Sequence, residues 1–372
     1  MLFLLQISTL LLANIVAGYL LPNPPGKYNV SLTTGPLIDY SRNGRALMLS
    51  VFQPTACEST VPVQNMPNKI AEHQGPFLQD HFGVPVDLSP HFRDAFLPVC
   101  PVIPSGCSPI EDGRILLFGP GLYFPRSFYN VLVSAIASEG FTVISMDHPN
   151  DTNIIVYPDG HTVYHEGPIV PTAEEFTAYV QPRVDDIKFI IDQLGNATAM
   201  GELLPQRGPR PFPTDRIAML GHSMGGVAAV IAAGQEPRLR GAIDWDGTLF
   251  GELPLEGIST PVLYVSEANA TDPSWVKVWP QLNGPKLWIE VANTTHMSFA
   301  DGGTLFQAAG QDMAPFADLL GSIAPAQLLQ ILVAYTTAWM DGALSGKVGG
   351  PLLGGQEPDR FPEVKTVTKS NF

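Results

Sequence analysis

The chain has 372 residues, 45% of them apolar, with 35 acidic side chains against 20 basic ones and a net charge of −15. That length and apolar fraction suit a globular protein with a large core and exclude a disordered chain. The acidity, with no basic run to offset it, excludes nucleic acid as a partner and any electrostatic grip on anionic lipid, so contact with a lipid surface would have to be weak and apolar.

Residues 1–18 read as a secretory signal peptide: an apolar run ends in the small residues Ala17 and Gly18, ahead of a Pro-rich stretch. No basic residue precedes the run, and Gln6, Ser8, Thr9 and Asn14 make it too polar for a good membrane span. Secretion to an extracellular setting agrees with five N-x-Ser/Thr glycosylation sequons, at Asn29, Asn150, Asn196, Asn269 and Asn293. It agrees also with Cys57, Cys100 and Cys107, two of which are expected to form a disulfide, the third a buried free thiol. Spacing leaves the pairing open. No second ligand pair stands at a zinc-like distance, so no metal or cofactor is expected.

Asn43-Gly44, between "PLIDY" and "ALMLSVFQP", predicts an N-terminal antiparallel hairpin. Residues 54–113 carry many prolines and little periodicity and read as an excursion packed on the body and pinned by the disulfide, not as a second domain. From residue 114, short apolar strands alternate with helices: "RILLFG", a helix over 127–140 closed by Gly140, then "FTVISMDHP". A polar loop leads to a long helix opened by the capping box Thr172–Glu175, with Phe176, Val180, Ile187, Ile190, Ile191 and Leu194 as its apolar stripe and Pro182 placed to bend it. Further strands follow in "RIAML", "GAIDW", "PVLYVS" and "KLWIEVA", then a C-terminal helix over about 325–343. The Gly- and Pro-rich tail, 346–372, is expected to be irregular. The fold class is α/β, one domain over 19–345 with a mostly parallel central sheet flanked by helices. Working residues in such sheets sit at the carboxyl ends of strands.

One motif meets that test directly. "GHSMGG", residues 221–226, follows a strand and opens a helix, the setting of a nucleophile elbow centred on Ser223. A serine hydroxyl needs a base, and His296, just after "KLWIEVA", is the histidine best placed to be one. The base needs a carboxylate on its other ring nitrogen. Asp246 ends the strand after the elbow helix; Asp272, with Glu267 as a lesser option, follows the next strand; Asp244 lies deeper in its strand. The acid stays open on spacing alone. An oxyanion hole would draw its amides from Met224 and from Leu122, beside Gly121, since Pro120 has no N–H. Trp245, Phe250, Tyr123 and the 150–172 loop are candidates to line a pocket.

Four segments resemble the secreted platelet-activating-factor acetylhydrolases, lipoprotein-associated phospholipase A2 type, of the α/β-hydrolase superfamily. They are "FGPGLY" with the strand after it, "GHSMGG", "RLRGAIDWDGTLFG" and "HMSFAD". The resemblance implies Ser223, Asp246 and His296 as the triad, Leu122 and Met224 as the oxyanion hole, and calcium-independent hydrolysis of short or oxidised sn-2 esters of phospholipids. The chain departs from the family at Gly119-Pro120, where a small residue and a histidine usually precede the glycine. A secreted cutinase- or polyesterase-like enzyme is the nearest alternative and would favour Asp272. A lipid- or partner-binding protein without catalysis is the alternative of another class. Nothing in the sequence speaks to oligomeric state.

Overall fold

The predicted hairpin turn places both Asn43 and Gly44 at positive φ, 57° and 73°, the conformation those two residues tolerate best. It joins β1 (Asn29–Asp39) to β2 (Arg45–Thr55) in an antiparallel pair. The computed structural model describes residues 18–101, 109–110, 113–167, 169, 171–251, 256–269 and 272–372. Most of the expected signal peptide, and Cys107, lie outside the described residues.

After the hairpin come β3 (Ile115–Gly119), β4 (Thr142–Asp147), β5 (Ile217–His222), β6 (Leu239–Trp245), β7 (Val262–Glu267), β8 (Lys286–Val291) and β9 (Val364–Ser370). Among the described residues they form a nine-stranded sheet in the order β9-β8-β7-β6-β5-β3-β4-β2-β1. The strands from β4 across to β8 pair in parallel, and antiparallel pairs close both edges. Along β3, Leu116 and Phe118 enter one hydrophobic core while Ile115 and Leu117 enter the other. That alternation within an all-apolar strand marks a sheet covered on both faces.

The principal helices are α1 (Asn68–Phe82), α2 (Asn130–Ala137), α3 (Ala173–Leu194), α4 (Met224–Gln235), α5 (Pro273–Val278) and α6 (Pro325–Ser345). α2 and α6 fill the core on one face, α3 and α4 the core on the other. α3 opens with the expected capping box: Thr172 accepts the Glu175 N–H at 3.2 Å and Glu175 accepts the Thr172 N–H at 2.7 Å. The segment Ala314–Ser345 has the length and apolarity of a membrane span. Its Ile331, Trp339 and Met340 nevertheless sit in the core beneath the sheet.

The 54–113 excursion carries regular elements despite its prolines, and one expectation, that of an irregular tail, is corrected. The excursion holds α1, with Pro76 inside the helix, and the strands Val61–Gln64 and Ala95–Val99, which with Tyr19–Leu20 from outside the stretch form a three-stranded sheet. Ile70, Ala71, Gln74, Phe77 and Leu78 bury one stripe of α1, and that burial offsets the roughly 3 kcal/mol a mid-helix proline costs. The bridge in this region joins Cys57 to Cys100. The tail is not irregular to its end either, because β9 pairs antiparallel with β8 and covers what would be an open sheet edge.

Candidate active site

Four parallel strands deliver the candidate residues from their carboxyl ends: β3 leads to Leu122, β5 to Ser223, β6 to Asp246 and β8 to His296. Ser223 has φ 54° and ψ −123°, a conformation strained for any residue with a Cβ. The turn is affordable because its neighbours are glycines. A Cβ on Gly225 would overlap the Gly119 carbonyl, and one on Gly221 would overlap Gly225. Strand end and helix start therefore touch, and the Ser223 N–H donates to the Trp245 carbonyl at 2.8 Å, fastening the elbow to β6.

The Ser223 carbonyl accepts from Gly226 and Val227 N–H at 2.9 and 3.1 Å, along the axis of α4. Peptide planarity then points the Met224 N–H the opposite way, out of the helix start, where the helix dipole is positive. The Leu122 N–H is aimed by the same logic. Buried Arg183, paired with Asp151, donates to the Pro120 carbonyl at 2.5 Å and the Gly121 carbonyl at 3.4 Å. Both peptide planes are thereby fixed, with the Gly121 and Leu122 N–H groups on the side away from Arg183. A Cβ on Gly121 would lie 3.6 Å from Ser223 Cβ, so this loop runs directly past the serine. Among the described residues neither the Leu122 nor the Met224 N–H has a hydrogen-bond partner.

The candidate acids sit in different surroundings. Asp246 Oδ2 lies 2.6 Å from His296 Nδ1, while its Oδ1 accepts the Glu267 N–H at 2.8 Å. Asp272 is occupied elsewhere. It caps α5 by accepting the Ser274 N–H at 2.7 Å, and its Oδ2 takes the Thr248 hydroxyl at 2.6 Å. Asp244 is fully buried behind the elbow, its Oδ1 accepting the Gly247 N–H at 2.9 Å. Burial pushes its carboxyl well above the usual range. Burial, and then the charge of Asp246, raise Glu267.

Ser223 and His296 line one cavity of about 520 Å3, together with Asp246, Glu267, Asp272 and the stacked pair Phe176 and Phe250, whose ring centroids are 4.9 Å apart. The Ser223 hydroxyl has no hydrogen-bond partner among the described residues, so His296 is joined to Asp246 but not to the serine. Such links commonly tighten only with substrate bound. Of the other pocket candidates, Phe250 lines the cavity, whereas Trp245 is buried against Phe118 and Tyr123 against Phe77. No described residue of the 150–172 loop lines it.

Two further residues brace the loops around the site. Asp301, the last residue of "HMSFAD", accepts the Val131 and Leu132 N–H groups at 2.7 and 3.0 Å, tying the His296 loop to the start of α2. Arg183 projects from α3, whose sequence pattern announces only an apolar stripe. Neither carries a local signal, since each acts on a segment far away in the chain.

No family model matches the chain. It is 27% identical over 394 aligned residues, covering 96% of each chain, to a protein of Arthroderma benhamiae named "Probable 1-alkyl-2-acetylglycerophosphocholine esterase". It is 22% identical to the platelet-activating factor acetylhydrolase of Canis lupus familiaris, over 80% of this chain and 71% of that one. Among solved structures, a ferulic acid esterase from Streptomyces cinnamoneus superposes with TM-score 0.75 at 24% identity, over 95% of this chain and all of the other. The fold is that of the α/β-hydrolases, and the chain is a relative of proteins named as 1-alkyl-2-acetylglycerophosphocholine esterase and platelet-activating factor acetylhydrolase.

Proposed function

We propose that the protein is a secreted serine carboxylester hydrolase that removes short or oxidised sn-2 acyl groups from phospholipids without calcium. The observation that carries the reading is the 2.6 Å contact of His296 Nδ1 with Asp246 in the cavity that Ser223 also lines. The near full-length similarity to a named 1-alkyl-2-acetylglycerophosphocholine esterase supports the substrate class. The Cys57–Cys100 bridge supports an oxidising compartment.

Ser223 Oγ attacks the ester carbonyl carbon as His296 Nε2 takes its proton, and Asp246 holds the Nδ1–H and stabilises the imidazolium. The Leu122 and Met224 N–H groups receive the negative charge that forms on the carbonyl oxygen. Collapse of that intermediate breaks the ester bond, and the lysophospholipid alcohol leaves with the proton from His296. Water, deprotonated by His296, then cleaves the acyl-serine and releases the carboxylic acid. The cavity of about 520 Å3 offers the rings of Phe176 and Phe250 as an apolar wall for an acyl group.

The test is hydrolysis of a phosphatidylcholine series of rising sn-2 length, with EDTA, alongside fluorophosphonate labelling of wild type and Ser223→Ala. Acetyl and other short chains should be cleaved, long chains poorly, and labelling should vanish in the variant. Labelling that survives Ser223→Ala, or equal turnover of long and short chains, would overturn the reading.

A further inference from the structure

Between the oxyanion loop and the His296 loop lies a buried polar chain that the triad does not require. His222, the strand residue just before Ser223, is 1% exposed. Its Nδ1 is 2.8 Å from Tyr129 Oη and its Nε2 is 2.9 Å from the carbonyl oxygen of His296. The same Tyr129 oxygen accepts the Gly121 N–H at 3.1 Å.

Proton counting orders this chain. A carbonyl only accepts, so His222 Nε2 carries a hydrogen; a neutral ring then offers Nδ1 as acceptor for the Tyr129 hydroxyl, whose oxygen takes the Gly121 N–H. Every donor has one acceptor only if His222 is neutral in that tautomer. Burial, and next the neighbouring His296, hold its imidazole well below the usual range, which favours that form. The packing leaves no slack. The rings of His222 and His296 lie 4.6 Å apart, and a Cβ on Gly121 would come within 3.1 Å of Tyr129 Oη and 3.3 Å of His222 Nδ1.

We propose that His222 and Tyr129 are positioning residues, a hydrogen-bonded strut that sets the distance between the oxyanion loop and His296 across the nucleophile. One end fixes the peptide of Gly121, next to Leu122; the other fixes the backbone of His296, hence the reach of its imidazole toward Ser223. The role rests on the esterase reading above. Misplacing reacting groups by an ångström costs on the order of 100-fold in rate, so loss of the strut should appear in kcat rather than in KM.

The experiment compares Tyr129→Phe, His222→Asn and the double variant with wild type in the hydrolysis of p-nitrophenyl acetate. It is joined to 15N NMR of the wild-type His222 ring at pH 7. Each single variant should lose roughly 10- to 100-fold in kcat with KM changed less than about threefold, and the double variant should be no worse than the poorer single, as for residues acting as a unit. The ring nitrogens should report a neutral imidazole protonated at Nε2. Folded single variants with wild-type kcat, losses that multiply in the double, or a ring protonated at Nδ1 would each overturn the proposal. Should the variants fail to fold, the NMR result decides alone. Wild type that neither turns over an ester nor takes a fluorophosphonate would sink the esterase reading instead, a result distinct from any of these.

Discussion

Asp246→Asn tests the acid most sharply, because the structure dictates how the amide must sit. Asp246 is held at both oxygens, by the Glu267 N–H at 2.8 Å and by His296 Nδ1 at 2.6 Å, and its side chain is only 10% exposed. An asparagine would keep its oxygen on the Glu267 N–H, since turning over would set NH2 against N–H. Its NH2 then faces His296 Nδ1, which must accept, and the ring proton moves to Nε2, the atom that deprotonates Ser223 in the proposed reaction. A base locked in the wrong tautomer costs about 10⁴ in kcat, or about 5.5 kcal/mol. Asp272→Asn supplies the contrast. Its carboxylate serves the Ser274 N–H and the Thr248 hydroxyl, so the expected cost is about 1 kcal/mol of stability from a weakened cap, with kcat within a few-fold of wild type. Steady-state kinetics on a short-chain ester and thermal melts of both variants read these outcomes. Loss of activity in Asp272→Asn with Asp246→Asn active would refute the reasoning and restore the polyesterase arrangement.

The disulfide spans 43 residues, and constraint of a loop that size stabilises by about 4 kcal/mol. A Cys57→Ala/Cys100→Ala variant should therefore melt several degrees lower and keep its kcat at 25 °C, as calorimetry and ester assay will show. Arg183→Met leaves the buried Asp151 carboxylate without its partner and frees the Pro120 and Gly121 carbonyls. A destabilisation of about 3–5 kcal/mol by urea titration, with a fall in kcat exceeding any change in KM, is the expected outcome. Asp301 is fully buried, and burial outweighs its two N–H donors, pushing its carboxyl up to about 7 from 3.8. A folded pKa above the unfolded one means stability present at low pH and lost as pH rises toward 7. Relative to Asp301→Asn, wild type should lose about 3 kcal/mol between pH 5 and 8 in urea unfolding; a difference independent of pH would refute it.

Features that depend on a few consecutive residues are legible in the amino-acid order. Asn43-Gly44 sets the hairpin turn, Thr172 and Glu175 cap their own helix, and the glycines around Ser223 permit the strained elbow. Each is a local conformational preference readable from residue type, and the apolar strands between them were legible for the same reason. Spacing left open which side chains meet, and the folded chain brings them together: His296 with Asp246, 50 residues apart and implied beforehand only by the family resemblance, Tyr129 with His222, 93 apart, and Cys57 with Cys100. It decided also that the tail becomes a strand, because "VKTVTKS" is too polar to announce one and gains its partners only at the open edge of β8. A contact depends on the path of the whole chain. Side chains adjacent in space need share no pattern in sequence, so a carboxylate's partner is known only once the sheet has brought its strand ends together.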